Sequence, residues 1–261
     1  MITLIGSGNV ATWIAQRLQG NPRFPITQVF SRHLEHAQTL ADLLNAEAIE
    51  DIRKLNPDNQ IFIFALADKA YDEILPLLPF KLPLAFTTSG TVSCQCLKDY
   101  AEQYGVIYPL QTFTKSQDMR KLEVPLCLES DFAGEHKTLI WELARELSPT
   151  CYEVSEAQRA KMHVAAVFAC NFSNAMYQIA YKLLKENGLP FEILLPVLHQ
   201  TVEKVAQMTP AEAQTGPAVR GDVNVMRAQM DSLEDERMRE IYRIMSEVIQ
   251  NEECRMMNYE L

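Results

Sequence analysis

The fold follows from Ile2-Thr3-Leu4-Ile5-Gly6-Ser7-Gly8-Asn9-Val10-Ala11, a stretch near the start of the chain. The apolar run at its beginning predicts a buried strand, and the apolar spacing from Ala11 to Gln19 predicts a helix. Between the two, Gly6, Gly8 and Ala11 match the spacing of a phosphate-binding turn. In such a turn the first glycine permits the bend, the second lets the backbone approach a pyrophosphate, and the third small residue lets helix and strand pack closely. The stretch therefore predicts a dinucleotide-binding unit of strand, turn and helix.

The turn itself supplies the first set of candidate binding residues. Its exposed N–H groups and the positive end of the helix are expected to receive the anion. The predicted contacts are five consecutive residues: Gly6, Ser7, Gly8, Asn9 and Val10. The alternative is a turn that serves the fold alone, without a ligand.

The end of the second strand predicts which dinucleotide is bound. An acidic residue about 20 residues beyond the turn would take the ribose 2′-hydroxyl of NAD. Here the chain reads Phe30-Ser31-Arg32-His33, without a carboxylate before Glu35. A hydroxyl and a guanidinium suit a 2′-phosphate, so Ser31 and Arg32 predict NADP(H) as the cofactor. The alternative is that Arg32 is a solvated surface residue.

Strand-like and helical segments alternate through residues 1–155, which predicts βαβ units and an open, doubly wound, mostly parallel sheet. The run Ile61–Leu66 is apolar at every position, as expected of a central strand buried on both faces. Cys96–Tyr104 is interpreted as a helix that precedes a strand at Val106–Tyr108. The predicted fold class is therefore α/β, with a Rossmann domain at the N-terminus.

Ligands collect at the carboxyl ends of the strands in such a sheet. Ala67, Asp68 and Ser89 follow predicted strands and are predicted to contact the cofactor. Gln111 follows a later strand and is predicted to contact the substrate. Each of these segments fits ordinary turn chemistry equally well.

The character of the sequence changes after Ser155, because no clear strand-like segment follows. Residues 156–261 are predicted to form an all-α domain for dimerisation and substrate binding. Glu156–Asn187 is interpreted as one long helix, closed by Gly188 and Pro190. It is apolar around much of its circumference, so we expect it to pass through the middle of its domain.

Polar residues on this helix are the candidate catalytic groups. At about 100° per residue, His163 and Asn174 are nearly eclipsed, and Asn171 lies close to the same stripe. His163 is predicted to donate a proton to the atom that is reduced, Asn171 to orient the carbonyl or imine, and Asn174 to contact the substrate. Alternatively, these side chains satisfy one another in a dimer core.

A Pro- and Gly-containing loop, Pro210–Asp222, offers Arg220 as an anchor for a substrate carboxylate or phosphate. Gly216 and Gly221 permit backbone turns there, and Asp222 is placed to cap the next helix. A structural loop in which Arg220 pairs with Asp222 is an equal alternative.

Composition excludes several classes of partner. The 261 residues are 48% apolar, and 24 Lys and Arg against 34 Asp and Glu give a net charge of −10. That charge repels nucleic acid and anionic lipid, and no apolar run approaches the roughly 20 residues that span a bilayer. Without a signal-peptide pattern, a cytoplasmic protein is expected. The six cysteines form no Cys-x-x-Cys pair, so neither a metal site nor a disulfide framework is predicted.

The order of these features resembles an uncharacterised bacterial family of NADP oxidoreductases with a Rossmann-like N-terminal domain and a helical C-terminal domain. The resemblance covers nearly the whole chain. Its motifs are Gly6–Ala11, Ser31-Arg32, Thr88-Ser89-Gly90, Tyr108–Phe113, His163 with Asn171, and Thr215–Asp222.

More distantly, the chain resembles pyrroline-5-carboxylate reductase and proteins like 6-phosphogluconate dehydrogenase. These relatives imply hydride transfer at the cleft between two domains and a homodimer formed through the helical domain. The sequence departs from the β-hydroxyacid dehydrogenases, since Lys161 is followed by Ala165 where they carry asparagine, so their mechanism does not transfer.

Two hypotheses of function follow. The first is an NADP(H)-dependent oxidoreductase that reduces a small carbonyl or imine. The second is a noncatalytic NADP(H)-binding sensor or scaffold protein, which stays open because the sequence contains no recognisable proton-transfer pair.

Overall fold

The computed structural model describes residues 1–114, 118–130 and 135–251. It divides into two compact units, Met1–Asn171 and Phe172–Leu261. The first unit contains the sheet and the beginning of the helical region, so the division falls sixteen residues after the domain boundary predicted at residues 155 and 156. Among the described residues, no helix combines the length and the apolarity needed to cross a membrane.

Eight strands build one sheet in the first unit. They are β1 Ile2–Ile5, β2 Ile26–Phe30, β3 Glu47–Ile49, β4 Ile61–Phe64, β5 Leu82–Thr87, β6 Ala101–Pro109, β7 Leu126–Glu129 and β8 Cys151–Glu153. Their order across the sheet is β3-β2-β1-β4-β5-β6-β7-β8. Every neighbouring pair is parallel except β6 and β7, which are antiparallel. The predicted α/β fold class with a doubly wound, mostly parallel sheet is confirmed.

The α-helices are α1 Asn9–Leu18, α2 Leu34–Leu44, α3 Tyr71–Ile74, α4 Glu135–Leu147, α5 Glu156–Ala166, α6 Ser173–Glu186, α7 Leu195–Val205, α8 Pro210–Ala213, α9 Pro217–Arg220, α10 Val223–Asp231 and α11 Glu236–Gln250. A π-helical segment, Val167–Phe172, follows α5. Short 3-10 helices occupy Ile52–Lys54, Asp68–Ala70, Leu75–Leu77, Cys94–Leu97, Met119–Lys121 and Phe191–Leu194.

Side chains of β4 show how the sheet is buried on both faces. Successive strand residues point to opposite faces. Ile61 and Ile63 belong to one apolar cluster, which includes the buried faces of α1, α2 and α4. Phe62 and Phe64 belong to a second cluster on the other side. The strand is the fourth of eight and fully buried, as predicted for a central strand.

The topological switch point lies between β1 and β4. From β1, the chain proceeds outward to β2 and β3, and then returns on the other side to β4, β5 and β6. Loops after β1 and β4 therefore separate at the carboxyl edge of the sheet, where a crevice for a ligand forms in this architecture.

Two predicted helices are wrong in detail. The segment interpreted as a helix over Cys96–Tyr104 contains a 3-10 turn and then the start of β6, because Ala101 and Gln103 pair with Leu82 and Leu84 of β5. Sheet pairing prevails there over local helix preference.

The single helix predicted over Glu156–Asn187 is divided by the π-helical segment. Bonds of the i to i+5 type interrupt the 3.6-residue period. The calculated eclipse of His163 and Asn174 assumed an unbroken period and is therefore wrong. The expected burial of this helix is also wrong, because only Arg159 of α5 and no residue of α6 is buried.

Candidate functional site at the carboxyl edge of the sheet

The two glycines of the β1–α1 turn, Gly6 and Gly8, differ in whether the fold requires glycine at their positions. Gly6 has φ +121°, and a Cβ there would overlap the carbonyl oxygen of Ala65 at the end of β4. The fold itself therefore requires glycine at this position. Gly8 has φ −76°, and no heavy atom lies within 4 Å of the position that its Cβ would take. The chain's own packing therefore does not require glycine at this position, and the backbone of the turn is open to solvent in front of Gly8.

The N-terminus of α1 presents its backbone donors without competition from the chain's own anions. Gly8 is the N-cap residue, no side chain caps it, and the first turn contains no acidic residue. The unpaired N–H groups and the helix dipole there favour a negative charge. The side chain of Asn9 does not cap the helix; its Nδ2 donates to the carbonyl oxygen of Phe113 at 2.8 Å. Val10 is half-buried against the core.

The end of β2 is connected to this turn by a hydrogen bond. Ser7 Oγ donates to Ser31 Oγ at 2.9 Å, so the turn and the predicted 2′-phosphate site are brought together. Arg32 is exposed and forms an ion pair with Glu73 of α3, with 2.9 Å between Nη1 and Oε2. Both side chains are 63% exposed. An exposed pair of this kind contributes about 0–1 kcal/mol, so Glu73 holds Arg32 only weakly.

The loops after β4 and β5 are joined through Asp68 and Ser89. Ser89 Oγ donates to Asp68 Oδ1 at 2.8 Å, and the Thr91 hydroxyl donates to the other oxygen of the same carboxylate. Ser89 Oγ also accepts from the backbone N–H groups of Thr91 and Val92. These bonds hold the two loops at the carboxyl edge, and the exposed Ala67 precedes them.

A polar pair that sequence reasoning missed lies next to these loops. Tyr108 Oη, near the end of β6, is 3.0 Å from Nδ1 of His163 on α5. Gly90 lies against both rings, since a Cβ there would be 2.6 Å from His163 Nδ1 and 2.9 Å from Tyr108 Cζ. Burial raises the pKa of the Tyr108 phenol, so the phenol is protonated at neutral pH. The position of Tyr108 at a strand end, in line with the other loops, was the available signal.

An internal ion pair fixes α5 on the sheet one turn before His163. Arg159 is 1% exposed; its Nε donates to Glu129 Oε2 at 2.9 Å and its Nη1 donates to the Ser89 carbonyl oxygen at 3.1 Å. Residues four apart lie on one face of a helix. The contacts of Arg159 therefore direct His163 towards Tyr108. The i, i+4 spacing of an arginine and a histidine was a signal in the sequence that went unused.

Three thiols of the first unit are held in their protonated form. Burial raises the pKa of Cys94 to about 12 and those of Cys96 and Cys127 to about 11. The thiolate is the reactive form of cysteine. These three thiols are therefore protonated and poorly reactive at neutral pH. Among the described residues, no three His, Cys, Asp or Glu side chains lie close enough together to hold a metal ion.

The remaining polar residues predicted to contact or orient the substrate, Gln111, Asn171 and Asn174, form no described hydrogen bond with the loops after β4 and β5. Gln111 is exposed and bonds only to nearby backbone and Thr112: its Nε2 donates to the Glu123 carbonyl oxygen at 3.0 Å, and its Oε1 accepts from Thr112. Asn171 lies in the π-helical segment, and its side chain is exposed. Asn174 is exposed on α6, in the second unit.

Backbone geometry explains much of the Thr215–Asp222 motif. Gly216 and Gly221 have φ values of +117° and +67°, on either side of α9, where glycine is strongly favoured. Asp222 caps α10 by accepting from Val225 N at 3.3 Å, as predicted. Arg220 is exposed, and its side chain forms no ion pair with Asp222 among the described contacts.

A cavity of about 720 Å³ in the first unit lies away from the phosphate-binding turn. Four carboxylates line it: Glu102, Glu129, Glu153 and Glu156. Such a lining repels phosphate groups. Its size alone therefore does not make it the dinucleotide site.

The sheet order and the turn after β1 define a Rossmann-type fold with a helical C-terminal region. A family model described as a domain of unknown function, DUF2520, matches residues 124–249. A structure described as a putative NADP oxidoreductase from Bacteroides fragilis is 37% identical, with a TM-score of 0.85, over 95% of this chain and 97% of that chain. The chain belongs to the family of this protein, which confirms the resemblance found in the sequence.

More distant solved structures share the fold. A 1-pyrroline-5-carboxylate reductase from Streptococcus pyogenes is 17% identical, with a TM-score of 0.64, over 95% of this chain and 97% of that chain. A reductive aminase from Aspergillus terreus, in complex with NADPH and ethyl-5-oxohexanoate, is 14% identical, with a TM-score of 0.63, over 96% of this chain and 86% of that chain. A comparison with functionally curated proteins finds no match.

Proposed function

We propose that this member of the NADP oxidoreductase family uses NADPH to reduce a small carbonyl or imine. The observation that carries the proposal is the open, uncapped backbone at Gly8, where the chain's own packing does not require glycine. A pyrophosphate placed there would meet the uncapped N-terminus of α1. The residues present thus fit a dinucleotide.

The assignment of NADP(H) rests on the end of β2. Ser31 and Arg32 offer a hydroxyl and a guanidinium to a 2′-phosphate, and Ser7 connects them to the turn. Arg32 would exchange its exposed pairing with Glu73 for a charge-assisted bond to the phosphate, worth about 1.5–3 kcal/mol. Ala67, Asp68 and Ser89 stand along the same edge, and we propose that they contact the rest of the cofactor through their loops.

The reacting end would lie beside β6. Three strand steps separate β1 from β6, which is about 14 Å at the usual spacing between strands. A dinucleotide that lies along the edge from the turn can bring its nicotinamide towards Tyr108 and His163. Bound NADPH would supply the hydride and leave as NADP⁺.

The proton would come from this chain. His163 is half-buried beside Tyr108. It would donate a proton to the substrate's carbonyl oxygen or imine nitrogen as that atom gains electron density from the hydride. We propose Asn171 as the residue that orients the substrate, and Gln111, Asn174 and Arg220 as substrate contacts.

Oxidation of NADPH, followed by its absorbance, tests the proposal with a panel of small keto acids, ketones and cyclic imines. At least one class should accelerate oxidation, and His163→Asn should lower turnover with little change in the Kd of NADPH. The matched control is His199→Asn, an exposed histidine on α7. Tight NADPH binding without turnover across the panel would refute catalysis and support the noncatalytic sensor instead.

We also propose a homodimer formed through the helical unit. Within the described residues of 172–251, only Ala218 and Met226 are buried apolar residues. Large apolar side chains of α7 and α11 are exposed, among them Val197, Val202 and Val248 at 60%, 61% and 47%. A helical unit with so little core needs a partner surface. Light scattering should give twice the monomer mass at micromolar concentration, and a monomer would contradict the proposal.

A further inference from the structure

The contact between Tyr108 and His163 determines which ring nitrogen of His163 faces a substrate. Nδ1 is the atom 3.0 Å from the phenolic oxygen. Tyr108 is 9% exposed, and its hydroxyl has no other hydrogen-bond partner among the described residues. A mostly buried tyrosine donates its hydroxyl hydrogen where an acceptor is within reach, and Nδ1 is the acceptor within reach here. With the phenol as the donor, Nδ1 is the unprotonated nitrogen of the neutral ring and the proton lies on Nε2.

We propose that Tyr108 and His163 form a proton relay in which the phenol is the proton source and the imidazole delivers the proton from Nε2. This inference rests on the proposed reductase function. It makes Tyr108 the source of the proton that His163 delivers, a role that local sequence patterns did not reveal.

The relay balances in protons. As the substrate atom forms its new bond to hydrogen, the Nε2–H bond of His163 breaks and the phenolic hydrogen moves to Nδ1. Tyr108 is left as phenolate and His163 remains neutral, with its proton on Nδ1. A proton from solvent then binds Nε2, and the Nδ1 proton returns to the phenolate, which restores the starting state.

Charged groups around the phenol suit both states. At rest, burial favours the neutral phenol. The guanidinium of Arg159 acts in the opposite direction, by less than burial does, and favours a phenolate. Arg159 is held in place by Glu129 and the Ser89 carbonyl oxygen. The anion formed during the relay thus has a fixed, buried cation near it.

Gly90 makes the close approach of the two rings possible. The space where its Cβ would stand is filled by His163 and Tyr108, at 2.6 and 2.9 Å. A methyl group there forces the rings to move while it leaves both reacting groups in the protein. Gly90→Ala is therefore a geometric test of the pair that removes neither side chain.

The decisive experiment measures the tautomer of His163 by nitrogen-15 NMR in the full-length protein, with the signal assigned through His163→Asn. Neutral His163 should carry its proton on Nε2 in the wild type, and Tyr108→Phe should yield a mixture of tautomers. Tyr108→Phe and Gly90→Ala should each lower kcat by about 10- to 100-fold or more. The Kd of NADPH should stay within about twofold, and Tyr152→Phe, an exposed tyrosine of β8, should behave as wild type.

Several results would overturn the relay. A proton on Nδ1 in the neutral wild-type ring would do so, and so would a Tyr108→Phe variant that turns over as fast as wild type. If the wild type reduces no substrate at all, the proposed function fails. The tautomer spectrum of wild type and Tyr108→Phe then decides separately whether Tyr108 sets the protonation of His163.

Discussion

The β1–α1 turn and the loop after β5 both bring a glycine to the carboxyl edge of the sheet, but the space beside the two glycines differs. Beside Gly8 there is no heavy atom within 4 Å of a would-be Cβ, whereas His163 and Tyr108 fill the equivalent space beside Gly90. The fold uses the second space for its own side chains, whereas the backbone at Gly8 is open to solvent. Packing explains Gly90, and the proposed pyrophosphate would explain Gly8, whose φ of −76° any residue can adopt.

The largest effect is expected at Gly6, whose role is structural. Gly6→Ala places a methyl group against the Ala65 carbonyl oxygen and strains a backbone at φ +121°. The free energy of unfolding should fall by about 3 kcal/mol or more, measured by urea denaturation. Gly8→Ala is the matched control and should lower it by only about 1 kcal/mol, the cost of alanine at an N-cap. Equal losses at the two positions would remove the distinction between them.

Gly8→Val should damage binding while it preserves the fold. The side chain fills the open space beside the turn and keeps the pyrophosphate from the backbone N–H groups. Since hydrogen bonds to a charged group contribute about 1.5–3 kcal/mol each, the Kd of NADPH should rise about 100-fold. Fluorescence titration measures the Kd, and an unchanged value would mean that the dinucleotide does not approach Gly8.

Arg32→Asp tests the proposed 2′-phosphate site after β2. The substitution replaces a cation with an anion where the 2′-phosphate is expected. The preference for NADPH over NADH should fall about 10- to 100-fold. Arg53→Asp, on an exposed arginine elsewhere, should leave the preference unchanged. Equal weakening of both cofactors by Arg32→Asp would show that Arg32 does not contact the phosphate.

The smallest effect concerns Glu73, the present partner of Arg32. Glu73→Gln removes a competing anion and its repulsion of the phosphate. Because exposed ion pairs contribute about 0–1 kcal/mol, NADPH should bind up to about fivefold more tightly. The same titration detects this change, and weaker binding would indicate that Glu73 itself supports the cofactor.

Local patterns were enough to predict the turn, the buried β4 and the doubly wound sheet. The spacing of Gly6 and Gly8 and the apolar run at Ile61–Leu66 are short-range signals that tertiary packing reinforces. The start of β6 was missed because its identity as a strand depends on pairing with β5, which no local window contains.

The Tyr108–His163 pair was missed for a similar reason. The two residues are 55 positions apart, and only the path of α5 across the sheet brings them together. That path depends on Arg159, whose partners come from the loop after β5 and from β7. The stripe predicted on a continuous helix failed at Val167–Phe172, since sequence periodicity does not reveal a π-helical segment.

Parallel titration of the wild-type protein with NADPH and NADH tests the central claim most directly. The turn, Ser31 and Arg32 predict saturable binding of NADPH with a Kd at least about 10-fold lower than that of NADH. Absence of NADPH binding, or equal affinity for NADH, would contradict the account of the β1–α1 turn and the end of β2 as an NADP(H) site.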